Sequence, residues 1–372
     1  MTGNQGPDVR SSTRLELEQF FVQQGEKKFR AGQVYEWLWK KSCRSFGEMT
    51  SLSKTARLLL ENNFSFHVAS PEKQQNSSDG TVKTAFRLHD GLMVEGVLIP
   101  SGDRATVCVS SQVGCALGCK FCATGQLGFK RNLSSGEMFD QVCRMADAGS
   151  RIPDPTSRIP HPASRIPDPT SRISNIVFMG MGEPFLNYEN VLGAIEKITS
   201  PQGLAMSPQR ITVSSVGIPR MIKKMADDDP KYHFALSLHA ARDSKRDQVI
   251  PFNLKHPLSD LTEALKYYHK KTSKRFTIEY ILFGNFNDTI ADAKDLALFC
   301  KNFPVKINII EYNPVKGTGF AKSDPERTSA FVDFLEQRNL VVNVRQSRGK
   351  DIDAACGQLA GKQGAVNDEQ HT

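Results

Sequence analysis

The chain holds 372 residues, 39% of them hydrophobic, with 48 lysines and arginines against 40 aspartates and glutamates, a net charge of +8. Such a length accommodates one large α/β domain and a smaller one, and no apolar run reaches the roughly 18 residues of a membrane span. The N-terminus, MTGNQGPDVRSSTRLELEQFF, lacks the apolar core of a secretory signal, so the expected address is the cytoplasm, and the mild basicity is compatible with a polyanionic partner without demanding one.

Residues 1–14 read as a disordered N-terminus. Residues 15–66 read as helical: LELEQFFVQQG, FRAGQVYEWLWKK and LSKTARLLLENN each place apolar residues at i, i+3, i+4 spacing. Lys27, Lys28, Arg30, Lys40, Lys41 and Arg44 interleave with Phe29, Trp37 and Trp39. The residues alone favour aromatics as core and lysines as a solvated face over an RNA-docking module. Residues 82–100, VKTAFRLHDGLMVEGVLIP, predict a β-hairpin turning at His89-Asp90-Gly91, because Asp-Gly between alternating runs suits a tight turn.

From residue 105 short β-branched runs alternate with helical stretches. The runs are ATVCVSS, NIVFMG, ITVSSV, FALSLHA, FTIEYILF and VKINIIEYN, and the helices are expected at 134–148, 188–199, 219–227, 258–270, 289–302 and 324–338. A last strand, VVNVRQ, covers 341–346. Six β-α repeats predict a parallel sheet that curls into a complete or partial β/α barrel, with its chemistry at the C-terminal ends of the strands. The chain's notable motifs fall there: the cysteine cluster, GMGEP, SSVG, SLHA and YNP. The repeat SRIPDPT-SRIPHPA-SRIPDPT at 150–173 carries too many prolines for helix or sheet and reads as an extended or disordered insertion. Residues 361–372 read as a disordered tail.

Eight cysteines occur in the chain. A long chain without an export signal argues against a disulfide framework and for metal or catalytic roles. Cys43, Cys143 and Cys300 lie in helical contexts and are expected to be structural. Cys115, Cys119 and Cys122 form C-x₃-C-x₂-C in SSQVGCALGCKFCATG. Structural zinc wants four ligands, usually from two C-x₂-C knuckles, and no second knuckle exists. A redox C-x-x-C pair leaves Cys115 unexplained. A [4Fe–4S] cluster uses all three from one loop and leaves one iron open to a small molecule.

This cysteine motif, with Phe121 before its last cysteine and a β/α barrel behind it, resembles the radical S-adenosylmethionine (SAM) superfamily. CVSSQVGCALGCKFCATGQLGFKRNL, NIVFMGMGEPFLNYENV, SLHAARDSKRDQVIP and VRQSRGKDIDAACGQL resemble, within it, the RlmN/Cfr family of RNA methyltransferases, over about Phe29 to Leu359. Pro184 in GEP matches the C2-specific RlmN members; the C8-specific Cfr members typically lack it.

The resemblance implies a partial (β/α)6 radical SAM barrel spanning 80–349 with its preceding hairpin, a helical RNA-docking accessory domain at 15–70, and a catalytic cysteine loop at 350–360. It implies methylation of C2 of adenine 2503 in 23S rRNA, before ribosome assembly, and of adenine 37 in some tRNAs. Cys356 would accept a methyl group from one SAM; a second SAM, cleaved at the open iron, would supply the radical that activates that methyl. The resulting carbon adds to adenine C2, and Cys108 helps resolve the protein–RNA adduct, ending in a disulfide with Cys356. Glu95 matches the family's proton acceptor, and the residues leave open whether Glu95 or Cys108 takes the C2 proton. Gly182, Glu183, Ser214, Ser237, Leu238, His239 and Asn313 match SAM contacts. An electron donor such as flavodoxin or ferredoxin and a monomeric state are also implied. A C8-specific methyltransferase and a non-catalytic, metal-bearing RNA-binding protein stand as the alternatives.

Overall fold

The structure, a computed structural model, describes residues 6–102, 104–149 and 173–361. The repeat and the C-terminal tail therefore lie outside the described residues, apart from Ile173 and Gly361.

Three helices build the N-terminal module: α1 (Arg14–Gln23), α2 (Phe29–Tyr35), which continues as a π-helical turn over Glu36–Lys40, and α3 (Lys54–Asn63). Thr13 starts α1 with a capping box: its hydroxyl accepts from Glu16 N–H while the Glu16 carboxylate accepts from Thr13 N–H. Leu17, Phe21, Ala31, Val34, Leu38, Trp39 and Leu60 are buried. Trp39 packs edge-on against Phe139, 5.2 Å away, which ties the module to the larger domain. Phe29 stays exposed, and Trp37 Nε1 donates to Ser51. Trp39 is thus core, while Phe29 and the lysines around it face solvent.

The expected disorder of residues 1–14 does not hold for residues 6–13. Val9–Ser11 form a 3₁₀ turn, Val9 is fully buried, and Asp8 bridges to Ser65. Arg10 forms an ion pair of 2.8 Å with Asp140, both side chains being 2% exposed. The stretch looks unstructured because it is polar and short of apolar residues; its order comes from Asp140, a partner distant in sequence.

Among the described residues the main sheet has ten strands. The strands are β1 (Ser70–Asn76), β2 (Val82–Arg87), β3 (Met93–Ser101) and β4 (Arg104–Cys108), then a small separate ribbon of β5 (Gln112–Gly114) and β6 (Phe129–Asn132), then β7 (Asn175–Phe178), β8 (Ile211–Ser215), β9 (His233–Ser237), β10 (Phe276–Leu282), β11 (Val305–Glu311) and β12 (Val341–Arg345). The helices between them are α4 (Ala123–Gln126), α5 (Ser135–Gly149), α6 (Tyr188–Thr199), α7 (Pro219–Asp227), α8 (Asp243–Val249), α9 (Leu258–Thr272), α10 (Ile290–Cys300) and α11 (Pro325–Glu336). β4 and β7 to β12 run parallel in chain order. β1, β2 and β3 extend this sheet antiparallel beyond β4.

The predicted hairpin is β2–β3, in register from Val82↔Leu98 to Arg87↔Met93. β1 was not expected: SPEKQQN is polar, carries a proline and lies exposed, the composition of an edge strand. Among the described residues β12 pairs with β11 alone, so the parallel strands form an open, partial barrel. Their cores are apolar, with Val107, Ile176, Val213, Leu236, Ile278 and Ile307 all buried, each contributing about 1.5–3 kcal/mol. Cys43, Cys143 and Cys300 are buried; Cys143 and Cys300 lie in α5 and α10 as expected, whereas Cys43 lies in the irregular segment after the π-helical turn, not in a helix. Among the described residues no helix is long and apolar enough to cross a membrane.

Candidate active site

The loop after β4 is held in shape before any ligand arrives. Gly114 has φ +72°, and a Cβ there would lie 1.8 Å from Gly128 O, so only glycine lets β5 close on β6. Cys115 N–H then donates to Gly128 O at 3.0 Å, and Cys122 N–H to Cys119 O at 3.2 Å. Cys119 and Phe121 pack with Val216, Ile250, Ile281 and Ile310. Burial pushes the Cys115 thiol up to about 12, Cys119 well above its ordinary value, and Cys122 upward.

These three cysteines line a cavity of about 230 Å³ together with Cys108, Cys356, Gly182, Glu183, Ser214, Ser237 and His239. Its second wall is the loop after β7. Gly182 has φ +98°, and a Cβ would fall 2.5 Å from Gln112 Cβ, so glycine alone allows the close approach. The Glu183 carboxylate accepts from Phe185 N–H at 3.0 Å and Val216 N–H at 3.1 Å. Burial nevertheless lifts its pKa to about 7.

Further round, Ser214 and Ser237 hydroxyls are 3.0 Å apart. His239 Nδ1 accepts from Ile281 N–H at 3.1 Å, and burial, with Arg246 nearby, lowers its pKa to about 3. Its ring is therefore neutral, and Phe121 meets it edge-on at 4.9 Å. Two of the residues matched to SAM contacts do not line the cavity. Leu238 is fully buried, and Asn313 turns its amide toward Glu311 O and Cys356 O, each at 3.4 Å.

Cys356 is exposed to the cavity on a loop pinned to the cysteine loop. Ala123 N–H donates to Gly357 O at 2.7 Å, and Thr124 Oγ1 to Leu359 O at 2.6 Å. The loop's base is clasped by the β1–β2 turn: Gly349 N–H donates to Asp79 at 2.9 Å, and Ser77 Oγ to Asp351 at 2.6 Å. The small residues of AACGQL thus permit a close fit as well as access. Glu95 lies on β3, buried, outside the cavity lining. Its carboxylate accepts from Ala360 N–H at 2.9 Å and faces Lys83 Nζ at 3.6 Å.

The sequence reading missed Gln112, Arg246, Glu279 and Arg345. Gln112 Oε1 accepts from Glu183 N–H at 2.8 Å and so orients the GMGEP loop. Arg246 is fully buried behind Cys119 and donates to Leu238 O, Asn253 Oδ1 and Val216 O. Glu279 and Arg345 line the cavity itself. The available signal was a carboxylate inside the apolar run FTIEYILF.

A parallel α/β sheet whose first-strand loop sets C-x₃-C-x₂-C over a cavity walled by the following strand ends defines the radical SAM class, and residues 109–299 match the family described as the Radical SAM superfamily. Residues 8–65 match the family described as the ribosomal RNA large subunit methyltransferase N-terminal domain. A probable dual-specificity RNA methyltransferase RlmN of Christiangramia forsetii is 51% identical over 355 residues, 95% of this chain and 96% of its own. The dual-specificity RNA methyltransferase RlmN of Syntrophobacter fumaroxidans is 42% identical, covering 96% of this chain and 98% of its own. A radical SAM methyltransferase from Sphaerobacter thermophilus superimposes with a TM-score of 0.85 at 36% identity, covering 95% of this chain and 99% of that one. The chain belongs to the RlmN family of SAM-dependent RNA methyltransferases.

Enzymes of this superfamily use a [4Fe–4S] cluster and SAM, and the residues fit both. Among the described residues no three histidine, cysteine or carboxylate side chains close around a single ion; a cluster instead holds its thiolates apart on separate irons. The three cysteines are free and share one cavity. The glycine cradle at Gly182 and the Glu183 carboxylate beside them suit an amino-acid moiety.

Proposed function

We propose that the chain methylates C2 of adenine in 23S rRNA and in some tRNAs through a methyl group carried on Cys356. The observation that carries this reading is that Cys356 and Cys108 line the same cavity as Cys115, Cys119 and Cys122. Adenine C2 is not nucleophilic, so a polar displacement on SAM would not reach it; a protein-borne carbon radical would.

Cys115, Cys119 and Cys122 hold the cluster, and Glu183 with the Gly182 backbone receives the amino-acid end of SAM. Ser214, Ser237 and His239 line the remaining wall, and Leu238 and Asn313 act through the backbone positions they fix. The Cys356 thiolate attacks the methyl carbon of SAM: a sulfur–carbon bond forms, the sulfonium bond breaks, and S-adenosylhomocysteine leaves. Cluster and SAM, if bound together, would supply a reductive cleavage whose product takes one hydrogen atom from the methyl on Cys356, leaving a carbon radical able to join C2. Joining carbon to C2 leaves one electron, which the cluster could take back, and the C2 proton to be removed; the Cys108 thiolate then attacks the Cys356 sulfur. The disulfide forms, the sulfur–carbon bond breaks with its electron pair going to carbon, and that carbon takes a proton to become the methyl group. An external thiol reductant must then restore both cysteines. Cys108 is better placed than Glu95 to take the C2 proton, which it gives up to solvent before its thiolate attacks, because Glu95 is committed to Lys83 and Ala360 N–H outside the cavity.

The exposed Phe29 and the lysines of the N-terminal module would dock RNA, and an acidic flavodoxin or ferredoxin would feed the cluster of a monomeric, cytoplasmic enzyme. Mass mapping of rRNA and tRNA from cells with and without this chain tests the reading. Methyl on adenine C2 that disappears with the gene is expected; methyl on C8, or unchanged RNA, overturns it.

A further inference from the structure

Two neighbouring strand ends of the cavity wall turn in the same way. After β8, Val216 precedes Gly217 at φ +95°; after β9, Leu238 precedes His239 at φ +56°. A residue with a Cβ is strained in this left-handed backbone. Such strain persists only where surrounding contacts over-determine it, and it gathers at functional sites. The chain nevertheless places a histidine at the second turn, and its ring lines the cavity.

The contacts that hold the two turns converge on one side chain. Arg246, on α8, donates from Nε to Leu238 O at 3.1 Å, from Nη2 to Val216 O, and from Nη1 to Asn253 Oδ1 at 2.6 Å. It is fully buried. The carboxylates of Asp243 and Asp247 are linked to it through Asn253, whose Nδ2 donates to them at 2.8 and 2.7 Å. A buried guanidinium costs stability unless its donors find partners, and two of the partners here are backbone carbonyls of the cavity wall. Val216 is thereby held from both sides: its N–H donates to the Glu183 carboxylate at 3.1 Å, and its carbonyl accepts from Arg246. His239 is fixed beyond the clip, where Asn287 Nδ2 donates to its carbonyl at 2.6 Å and Ile281 N–H to its Nδ1 at 3.1 Å.

We propose that Arg246 is a positioning residue for SAM: by clipping together the turns after β8 and β9, it keeps Glu183 and the His239 ring where SAM meets them. This rests on the reading above that Glu183 and the strand-end wall receive SAM. Arginine suits the task because its planar fork holds two carbonyls at once, which the single ammonium of a lysine on its flexible stem does not. Without the fork, Val216 turns from Glu183, and the strained His239 turn relaxes and draws its ring from the wall.

The test compares iron-loaded Arg246→Gln and Arg246→Lys with Arg10→Gln, which removes another buried arginine outside the cavity lining. Three quantities are read: the SAM dissociation constant by equilibrium dialysis, the melting temperature, and hydrogen exchange at the Val216 and Ile281 amides. Arg246→Gln is expected to raise the dissociation constant about tenfold or more and to speed both exchanges. Arg246→Lys recovers only part of the affinity. Arg10→Gln lowers the melting temperature and binds SAM as the parent does. A parental dissociation constant in Arg246→Gln, whatever its melting temperature, overturns the inference, because the arginine would then serve stability alone. If Arg246→Gln takes up no iron, Asn253→Ala decides. It leaves the guanidinium in place without its third acceptor, and is expected to weaken SAM about three- to tenfold; parental binding there overturns the inference equally. Parental SAM affinity in Glu183→Gln would overturn the reading of the wall instead, so the two failures are told apart.

Discussion

Replacing Thr124 by valine isolates the force that holds Cys356 in the cavity. Thr124 is buried in α4, directly after the cluster loop, and its Oγ1 donates to Leu359 O at 2.6 Å. Valine keeps the shape and removes the donor, leaving a buried carbonyl unpaired at a cost of about 1–3 kcal/mol. The other ties, Ala123 N–H to Gly357 O and Ala360 N–H to Glu95, remain. The lost energy is therefore subtracted from the free energy that separates the docked loop from an undocked one. Amides that exchange only on undocking, Ala360 above all, should exchange about 5–150-fold faster. Hydrogen exchange read by mass spectrometry on the peptide spanning Cys356 measures this without RNA or turnover. Unchanged exchange there, in a variant with normal iron content, would refute the claim that the cysteine loop is docked through α4.

Other outcomes follow from the same geometry. Single Cys115→Ala, Cys119→Ala or Cys122→Ala variants should lose most of their iron and sulfide after anaerobic purification; near-full iron in all three would remove the cluster assignment. Burial alone would raise the Asp79 carboxyl, but hydrogen bonds from Thr81 and from Gly349 N–H override it and hold the pKa at about 2, below its ordinary 3.8. A lowered pKa means stability present above 3.8 and lost as pH falls toward about 2. The melting-temperature gap between the parent and Asp79→Asn should therefore close over that window, and a gap independent of pH would contradict the clasp. Replacing residues 151–172 by a short Gly-Ser link should leave fold, iron content and methyl transfer intact. The described chain leaves α5 and re-enters at Ile173 before β7, at the strand ends opposite the cysteine loop, and long loop insertions cost only about 0.6 kcal/mol per doubling. A loss beyond about tenfold in a folded, iron-loaded variant would show that the repeat has a role.

The parts legible in the sequence are those whose physics is local. Cys115, Cys119 and Cys122 sit within one turn, so their spacing alone suggests shared ligation. The β2–β3 hairpin is announced by Asp90-Gly91, and the parallel strands by apolar runs between amphipathic helices. What escaped depends on partners far apart in the chain. Val9 and Arg10 are ordered by α5, and nothing near them in sequence says so. β1 hides because an edge strand facing solvent needs no apolar alternation. Motif matching located Leu238 and Asn313 but not their side-chain directions, since a strand end can present either backbone or side chain to the cavity. Glu95 has the right residue type beside the right elements, yet its carboxylate is engaged by Lys83 and Ala360 N–H. Arg345 and Glu279 meet only because β10, β11 and β12 are adjacent in register.

The claim that Cys356 carries the methyl group and Cys108 releases it is tested most directly by trapping. Iron-loaded Cys108→Ala enzyme, given SAM, a one-electron reductant and a 23S rRNA fragment, should yield an RNA-linked protein band that survives denaturation. Cys356→Ala, and the double variant, should yield none. The absence of a band with Cys108→Ala, or its presence with Cys356→Ala, would contradict the account.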